Sequence, residues 1–155
     1  MRKQKITISV IGGHTTTPKV ADLAQAVGRM IAQLDCVLVC GGLGGVMEET
    51  AKGAQEAGGL TIGLLPGKQK TDANAYIDIA LPTTIGYARN AMVAASADII
   101  VALPGSFGTS SEICYGLVYG RPVIDLGGWK IKGMIPARNV AQALEQIKKI
   151  IKKTN

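Results

Sequence analysis

Three times along this chain a short apolar run ends in a glycine turn and passes directly into a helix-forming segment. The first run is 5–11 (KITISVI), leading through Gly12 and Gly13 to Thr17 and Pro18. The second is 36–40 (CVLVC), leading through Gly41, Gly42, Gly44 and Gly45 to Val46. The third is 98–103, leading through Gly105 and Gly108 to Thr109. Runs this short and this rich in Val and Ile have the length and composition of strands. An aliphatic, aromatic-poor composition with 20 glycines suits a parallel sheet covered on both faces by helices. Parallel strands need helical crossovers, and those are right-handed. The expectation is an α/β fold: a single Rossmann-like domain over 1–155, with a doubly wound parallel sheet of six or seven strands and helices on both faces.

The segments between fit that plan. Val20, Leu23, Ala24, Val27, Met30, Ile31 and Leu34 recur at helical spacing, with Thr17 as N-cap and Pro18 in the first turn, so a helix is predicted over 18–34. A second helix, 46–57, stops at Gly58-Gly59. A strand at 60–65 ends at Pro66-Gly67. The polar loop 68–75 is either a lid over a ligand or a plain crossover. A short strand at 77–81 and a turn at 82–84 precede a helix over 87–97, which carries Arg89 and Asn90 and has a small apolar face (Ala91, Met92, Ala94, Ala95). Further helices are expected at 110–119 and 140–152, the latter capped by Asn139. A strand at 123–126 and a turn at 127–130 into a short final strand lie between them. Aromatic residues are only 4% of the chain, so the core must be aliphatic.

The net charge of +6 comes from the ends. Arg2, Lys3 and Lys5 lie at one end, and Lys148, Lys149, Lys152 and Lys153 at the other. The 6–147 interior is slightly acidic. Without a basic stripe interleaved with aromatics, nucleic acid is not an expected partner. Cys36, Cys40 and Cys114 form no C-x-x-C pair and read as buried free thiols in a reducing compartment. A single histidine rules out a multi-histidine metal site, and no metal is expected. No secretory leader is read before the first strand, and no apolar run approaches about 18 residues. A soluble cytoplasmic protein with no membrane partner is expected.

In doubly wound sheets ligands bind beyond the carboxyl ends of the strands, where all three glycine turns fall. A turn that opens a helix leaves N–H groups and the positive end of the helix dipole facing the ligand, which is an anion site. The turns do not match G-x-x-x-x-G-K-[ST], so P-loop hydrolysis is not supported. They do not match G-x-G-x-x-G with a distant acid either, so a dinucleotide dehydrogenase is disfavoured. Glu48 and Glu49 in the first turn of the second helix would compete with a phosphate there unless they point away. Thr109-Ser110-Ser111-Glu112 has the T-x-x-E capping-box pattern, which accounts for Glu112 without any ligand. Arg89 is open to an ion pair or to an anion. His14 is open to solvent, to a backbone partner or to a ligand.

Several linked motifs resemble known proteins over nearly the whole chain. Residues 104–112 (PGSFGTSSE) resemble the P-G-G-x-G-T-x-x-E motif of the Lonely Guy family, long labelled lysine decarboxylases, and Arg89 matches that family's arginine. The stretches at 41–48 (GGLGGVME), 53–59, 62–67, 88–90 (ARN) and 108–112 are more similar to the molybdenum-cofactor carrier proteins and their relatives. The first resemblance implies a phosphoribohydrolase that cleaves nucleoside 5′-monophosphates to base and ribose 5-phosphate. Arg89 and Glu112 would then be catalytic at the sugar. The second implies a carrier that binds a phosphorylated pterin without chemistry, with no cofactor required and a molybdopterin-type molecule as cargo. Ser106 stands in place of the motif's second glycine. Asn90 stands where a lysine usually follows the arginine, and this favours the carrier. The ligand residues expected on this basis are Gly12, Gly13, Gly41, Gly42, Gly44, Gly45, Met47, Arg89, Asn90, Gly105, Ser106, Phe107, Gly108, Thr109 and Glu112. The resemblance also implies oligomers, here expected as a homodimer or homotetramer; a contact through the small-residue helix 88–97 or through helix 110–119 is expected from the sequence itself.

Overall fold

The apolar runs become the inner strands of one sheet, and their two sets of side chains feed two separate cores. The computed structural model describes residues 4–154; Arg2 and Lys3 of the basic N-terminal end lie outside the described residues. The elements are β1 (Thr7–Ile11), α1 (Pro18–Gln33), β2 (Val37–Cys40), α2 (Val46–Glu56), β3 (Thr61–Leu65), β4 (Ile79–Pro82), α3 (Arg89–Ala95), β5 (Ile99–Ala102), α4 (Phe107–Val118), β6 (Val123–Asp125), β7 (Ile135–Pro136) and α5 (Val140–Thr154). The seven strands form one sheet in the order β4-β3-β2-β1-β5-β6-β7, and every pairing is parallel. The expected doubly wound sheet is borne out.

Alternation along each strand decides which core a residue joins. Ile8, Val10, Ile99, Val101 and Leu103 pack with α1, α2 and α5 on one face. Ile11, Val39, Ile100 and Ala102 pack with α3 and α4 on the other. Ser9 also faces α3, fully buried, and its hydroxyl donates to the Val93 carbonyl at 2.7 Å. Both edge strands, β4 and β7, end in proline, which cannot donate to a further strand. Among the described residues no helix is long and apolar enough to cross a membrane.

The caps read from sequence hold at two helices. Thr17 Oγ1 accepts from Val20 N at 3.3 Å ahead of Pro18. Asn139 Oδ1 accepts from Gln142 N at 2.9 Å, and Gln142 Oε1 accepts from Arg138 N at 2.8 Å. Asn139→Ala removes this cap. It should lower stability by about 1 kcal/mol, read as a reduced urea midpoint with an unchanged slope.

Three local expectations are corrected. The predicted helix 87–97 is split, with a 3₁₀ turn at Gly86–Ala88 before α3. Cys36 and Cys40 are buried as expected, but Cys114 is exposed on α4. The capping box at 109–112 does not form. α4 starts at Phe107, Ser106 is its N-cap without a side-chain bond, and Thr109 lies inside the first turn. A residue inside the first turn cannot act as N-cap, so Thr109 is instead buried against the preceding turn, where a Cβ on Gly105 would lie 2.1 Å from its Oγ1.

The loop 68–75 contains a 3₁₀ turn at Lys70–Asp72, and its far end is tied to the second glycine turn. Asn74 Nδ2 donates to the Leu43 carbonyl at 2.8 Å, and Asn74 N donates to the Gly42 carbonyl at 2.9 Å.

Candidate functional site

From β1 the chain winds outward to β2, β3 and β4, whereas β5, β6 and β7 build the opposite half. The direction reverses between β1 and β5, which is where a doubly wound sheet opens a crevice beyond its carboxyl edge. The turns leaving these two strands hold each other, since Gly13 N donates to the Pro104 carbonyl at 3.0 Å. The first turn is held from its other side by Val46 N, at the start of α2, which donates to the Gly13 carbonyl at 2.9 Å. Gly45, at φ 66°, makes that approach possible. A Cβ there would lie 2.3 Å from the Gly13 carbonyl oxygen, and the left-handed backbone itself favours glycine.

An inner cavity of about 30 Å³ opens at this crevice. Gly12 and Gly13 line it from the first turn, and Met47 from α2. Arg89 and Asn90 enter from α3, and Ser106, Gly108, Thr109 and Glu112 from α4 and its N-cap. The structure therefore brings together nine of the residues expected at the site. The others lie elsewhere. Gly41 is behind the arginine, where a Cβ would come within 2.6 Å of both Arg89 Nη2 and Met47 Sδ. Phe107 lines an outer groove of about 600 Å³, and Gly105 faces a separate depression beside Gly127 and Trp129. Gly42, Gly44 and Gly45 line neither the cavity nor the groove.

Electrostatics single out one pair. Arg89 is 4% exposed and Glu112 7% exposed. Arg89 Nη1 donates to Asn90 Oδ1, and Nη2 donates to the Gly41 carbonyl at 3.4 Å. Nε of Arg89 is buried with no partner among the described residues. Asn90 is held in turn: its Nδ2 donates to Ser111 Oγ at 3.2 Å, and that hydroxyl donates to the Gly108 carbonyl at 2.6 Å. Burial pushes the Glu112 carboxyl up to about 8, with the positive Arg89 pulling the other way. Burial also lowers the pKa of Arg89, opposed by the Glu112 charge. Near neutral pH the carboxyl is therefore mostly uncharged, and the arginine's charge stands largely uncompensated at the cavity. Cys40, behind the site, is pushed up to about 11 by burial, so its thiol stays protonated and unreactive.

The two glycine-turn helices differ in what they offer an anion. α2 has Glu48 and Glu49 in its first turn, and its Val46 N–H is already used by Gly13. Glu49 is turned away, accepting from Gln25 Nε2 at 2.6 Å. α4 has no acid in its first turn and no side-chain cap, so its first N–H groups are left for water or a ligand beside Arg89. Ser106 sits at φ −129°, an ordinary conformation for a residue with a Cβ, so serine is accommodated there without backbone strain.

Sequence reasoning left His14 open and missed Tyr87, Ser111 and Tyr115 as lining residues. His14 borders the inner cavity, the groove and a third depression beside Leu43 and Pro66. Tyr87, Ser111 and Tyr115 line the groove with Phe107. The available signal was periodicity: 107, 111 and 115 share one helical face, but only on a helix that starts at 107.

Known proteins bear out the resemblance read from the motifs. A relative from Archaeoglobus fulgidus, of uncharacterized role, is 42% identical over 119 residues, 77% of this chain and 78% of that protein. Among solved structures, the molybdenum cofactor binding protein of Rippkaea orientalis superimposes with a TM-score of 0.87 at 34% identity, covering 97% of this chain and 99% of that one. The molybdenum cofactor carrier protein of Chlamydomonas reinhardtii gives 0.88 at 32%, covering 96% and 99%. Residues 5–155 match the model of the SLOG cluster4 family, and the chain belongs to that family.

Proposed function

We propose that this protein binds a phosphorylated small molecule, of molybdopterin type, in the crevice between β1 and β5 and carries it without chemical change. One observation carries the reading. The uncapped start of α4 and the buried Arg89, with its unpartnered Nε, converge on one cavity at the point where the winding of the sheet reverses. N–H groups at a helix start and a guanidinium are both anion ligands; here the helix N–H groups have no side-chain cap, and the guanidinium gives one hydrogen bond each to Asn90 and Gly41 while facing no acidic partner at bonding distance among the described residues. The names of the Rippkaea and Chlamydomonas relatives support a cofactor cargo.

The test is isothermal titration with AMP as the phosphorylated probe. Arg89→Ala should weaken binding by roughly 10-fold to 100-fold, the worth of a charge-assisted hydrogen bond. An unchanged Kd in that variant would remove the arginine from the phosphate site.

The phosphoribohydrolase reading is favoured by one observation: a buried carboxyl with a pKa of about 8 faces the same cavity. A group in that range can deliver or accept a proton near neutral pH, and N-glycoside cleavage needs such a group. Incubation with AMP, followed by assay of adenine and ribose 5-phosphate, separates the two. Release that disappears in Glu112→Ala establishes the hydrolase and overturns the carrier.

We also propose a homodimer or homotetramer contact through α3 or α4. Met92 on α3 is 41% exposed, and Val118 at the end of α4 is 79% exposed. Exposed apolar groups of this kind suit a subunit contact.

A further inference from the structure

The inner cavity, at about 30 Å³, has room for little more than a water molecule. Whatever presents a phosphate to Arg89 and α4 must keep its body outside. The adjoining groove, at about 600 Å³, falls in the size range of small-molecule sites. It is continuous with the cavity, because His14, Asn90, Ser106 and Gly108 line both.

The groove's walls are unusual for this chain. There is 1 Phe, 1 Trp and 4 Tyr in the whole sequence. The lone phenylalanine and two of the tyrosines line this one groove. Phe107 is 91% exposed and Tyr87 78% exposed. Tyr115 is set by stacking on Tyr119, with ring centroids 6.0 Å apart. Exposed flat rings beside an anion site offer faces to a second flat ring. The geometry points to a stacking subsite: Tyr87, Phe107 and Tyr115 hold the planar heterocycle of a ligand whose phosphate end lies toward Arg89 and the start of α4. This assignment rests on the phosphate reading given above. The competing occupant is a second copy of the chain, since exposed rings also mark subunit contacts.

The experiment compares AMP with ribose 5-phosphate, which has the phosphate but no heterocycle. Both are titrated into the full chain, with free adenine assayed afterwards so that binding is read on intact nucleotide. The wild type should bind AMP about tenfold tighter or more, in line with the usual worth of base stacking on an aromatic side chain. Phe107→Ala combined with Tyr87→Ala should remove most of that difference and leave ribose 5-phosphate unchanged. Phe107→Trp combined with Tyr87→Phe should retain it. Both residues are exposed, so an unchanged urea midpoint is expected and guards against misfolding. Equal affinity of the wild type for the two probes, or equal weakening of both in the alanine variant, overturns the subsite and leaves the phosphate site standing. Failure of both probes to bind the wild type overturns both. Unchanged AMP affinity with a smaller sedimenting species makes the groove a subunit contact and overturns the subsite alone.

Discussion

Glu112→Gln should make the protein more stable than the wild type near pH 9 while leaving it almost unchanged near pH 5. The sign follows from the direction of the pKa change. Glu112 is ordinary when unfolded, near 4.5, and is pushed up to about 8 when folded, because burial penalises its charge. The folded state therefore binds the proton more tightly than the unfolded state does. The contribution of that proton to stability is complete below about 4.5, falls as pH rises through the interval, and is gone above about 8. Across that interval the wild type should lose on the order of a few kcal/mol, which the uncharged amide does not lose. Cys40 titrates higher, at about 11, and does not confuse the window. Urea unfolding of both proteins at the two pH values is the measurement. Parallel losses would mean that Glu112 ionises freely in the fold. The same proton bears on binding: once the carboxyl ionises, it opposes the Arg89 charge and weakens the hold on any anion.

Gly53→Ala should destabilise the protein by about 2–3 kcal/mol, although alanine is the better helix former by about 1 kcal/mol. α1 and α2 meet backbone to backbone. A Cβ at Gly53 would lie 2.1 Å from the Gln25 carbonyl oxygen, and one at Gly28 would lie 2.0 Å from the Thr50 carbonyl oxygen. Main-chain atoms cannot rotate aside, so the two helices must part and strip contacts from the first core. Gly116→Ala provides the contrast. Its Cβ would meet Ile100 Cδ1 at 2.5 Å, the end of a side chain that can turn away. The Gly53 variant should therefore lose clearly more stability than the Gly116 variant. For a chain of this size 2–3 kcal/mol corresponds to a fall in melting temperature of roughly 4–12 °C. If Gly53→Ala unfolds at or above the wild-type midpoint, the two helices are not in backbone contact.

The architecture was legible because it rests on signals that each segment carries by itself. Val20 to Leu34 repeat at helical spacing, and Thr7–Ile11 is a largely β-branched run of strand length, so both appear in isolation. The glycine turns were legible as turns, but not their division of labour. That division depends on which turn the Gly13 carbonyl meets and on where Glu49 points, and both are contacts between distant segments. The contact between Gly28 and α2 left no trace in the pattern, because glycine adds nothing to a hydrophobic period. Around α4 a local rule gave way to a packed neighbour. Thr109 has the right type and spacing for a cap, yet the helix begins earlier, at Phe107, and Thr109 packs closely against Gly105. That shift hid the face shared by Phe107, Ser111 and Tyr115. Arg89 was visible as a residue. Its anchoring through Asn90 and Ser111 was not, since it depends on α3 and α4 lying side by side.

If the crevice holds an anion as proposed, the bare end of α4 makes ligand and scaffold interdependent. An anion that settles on the free N–H groups of Phe107, Gly108 and Thr109 does for this helix what Thr17 and Asn139 do for theirs. The empty protein then lacks a finished helix start at the very place where it grips, and the loaded protein gains one. Phe107, standing almost wholly in solvent on that same first turn, would be steadied along with it. On the proposed ligand-binding reading, the surface at this corner would differ between the bound and the empty protein at a place away from the ligand itself.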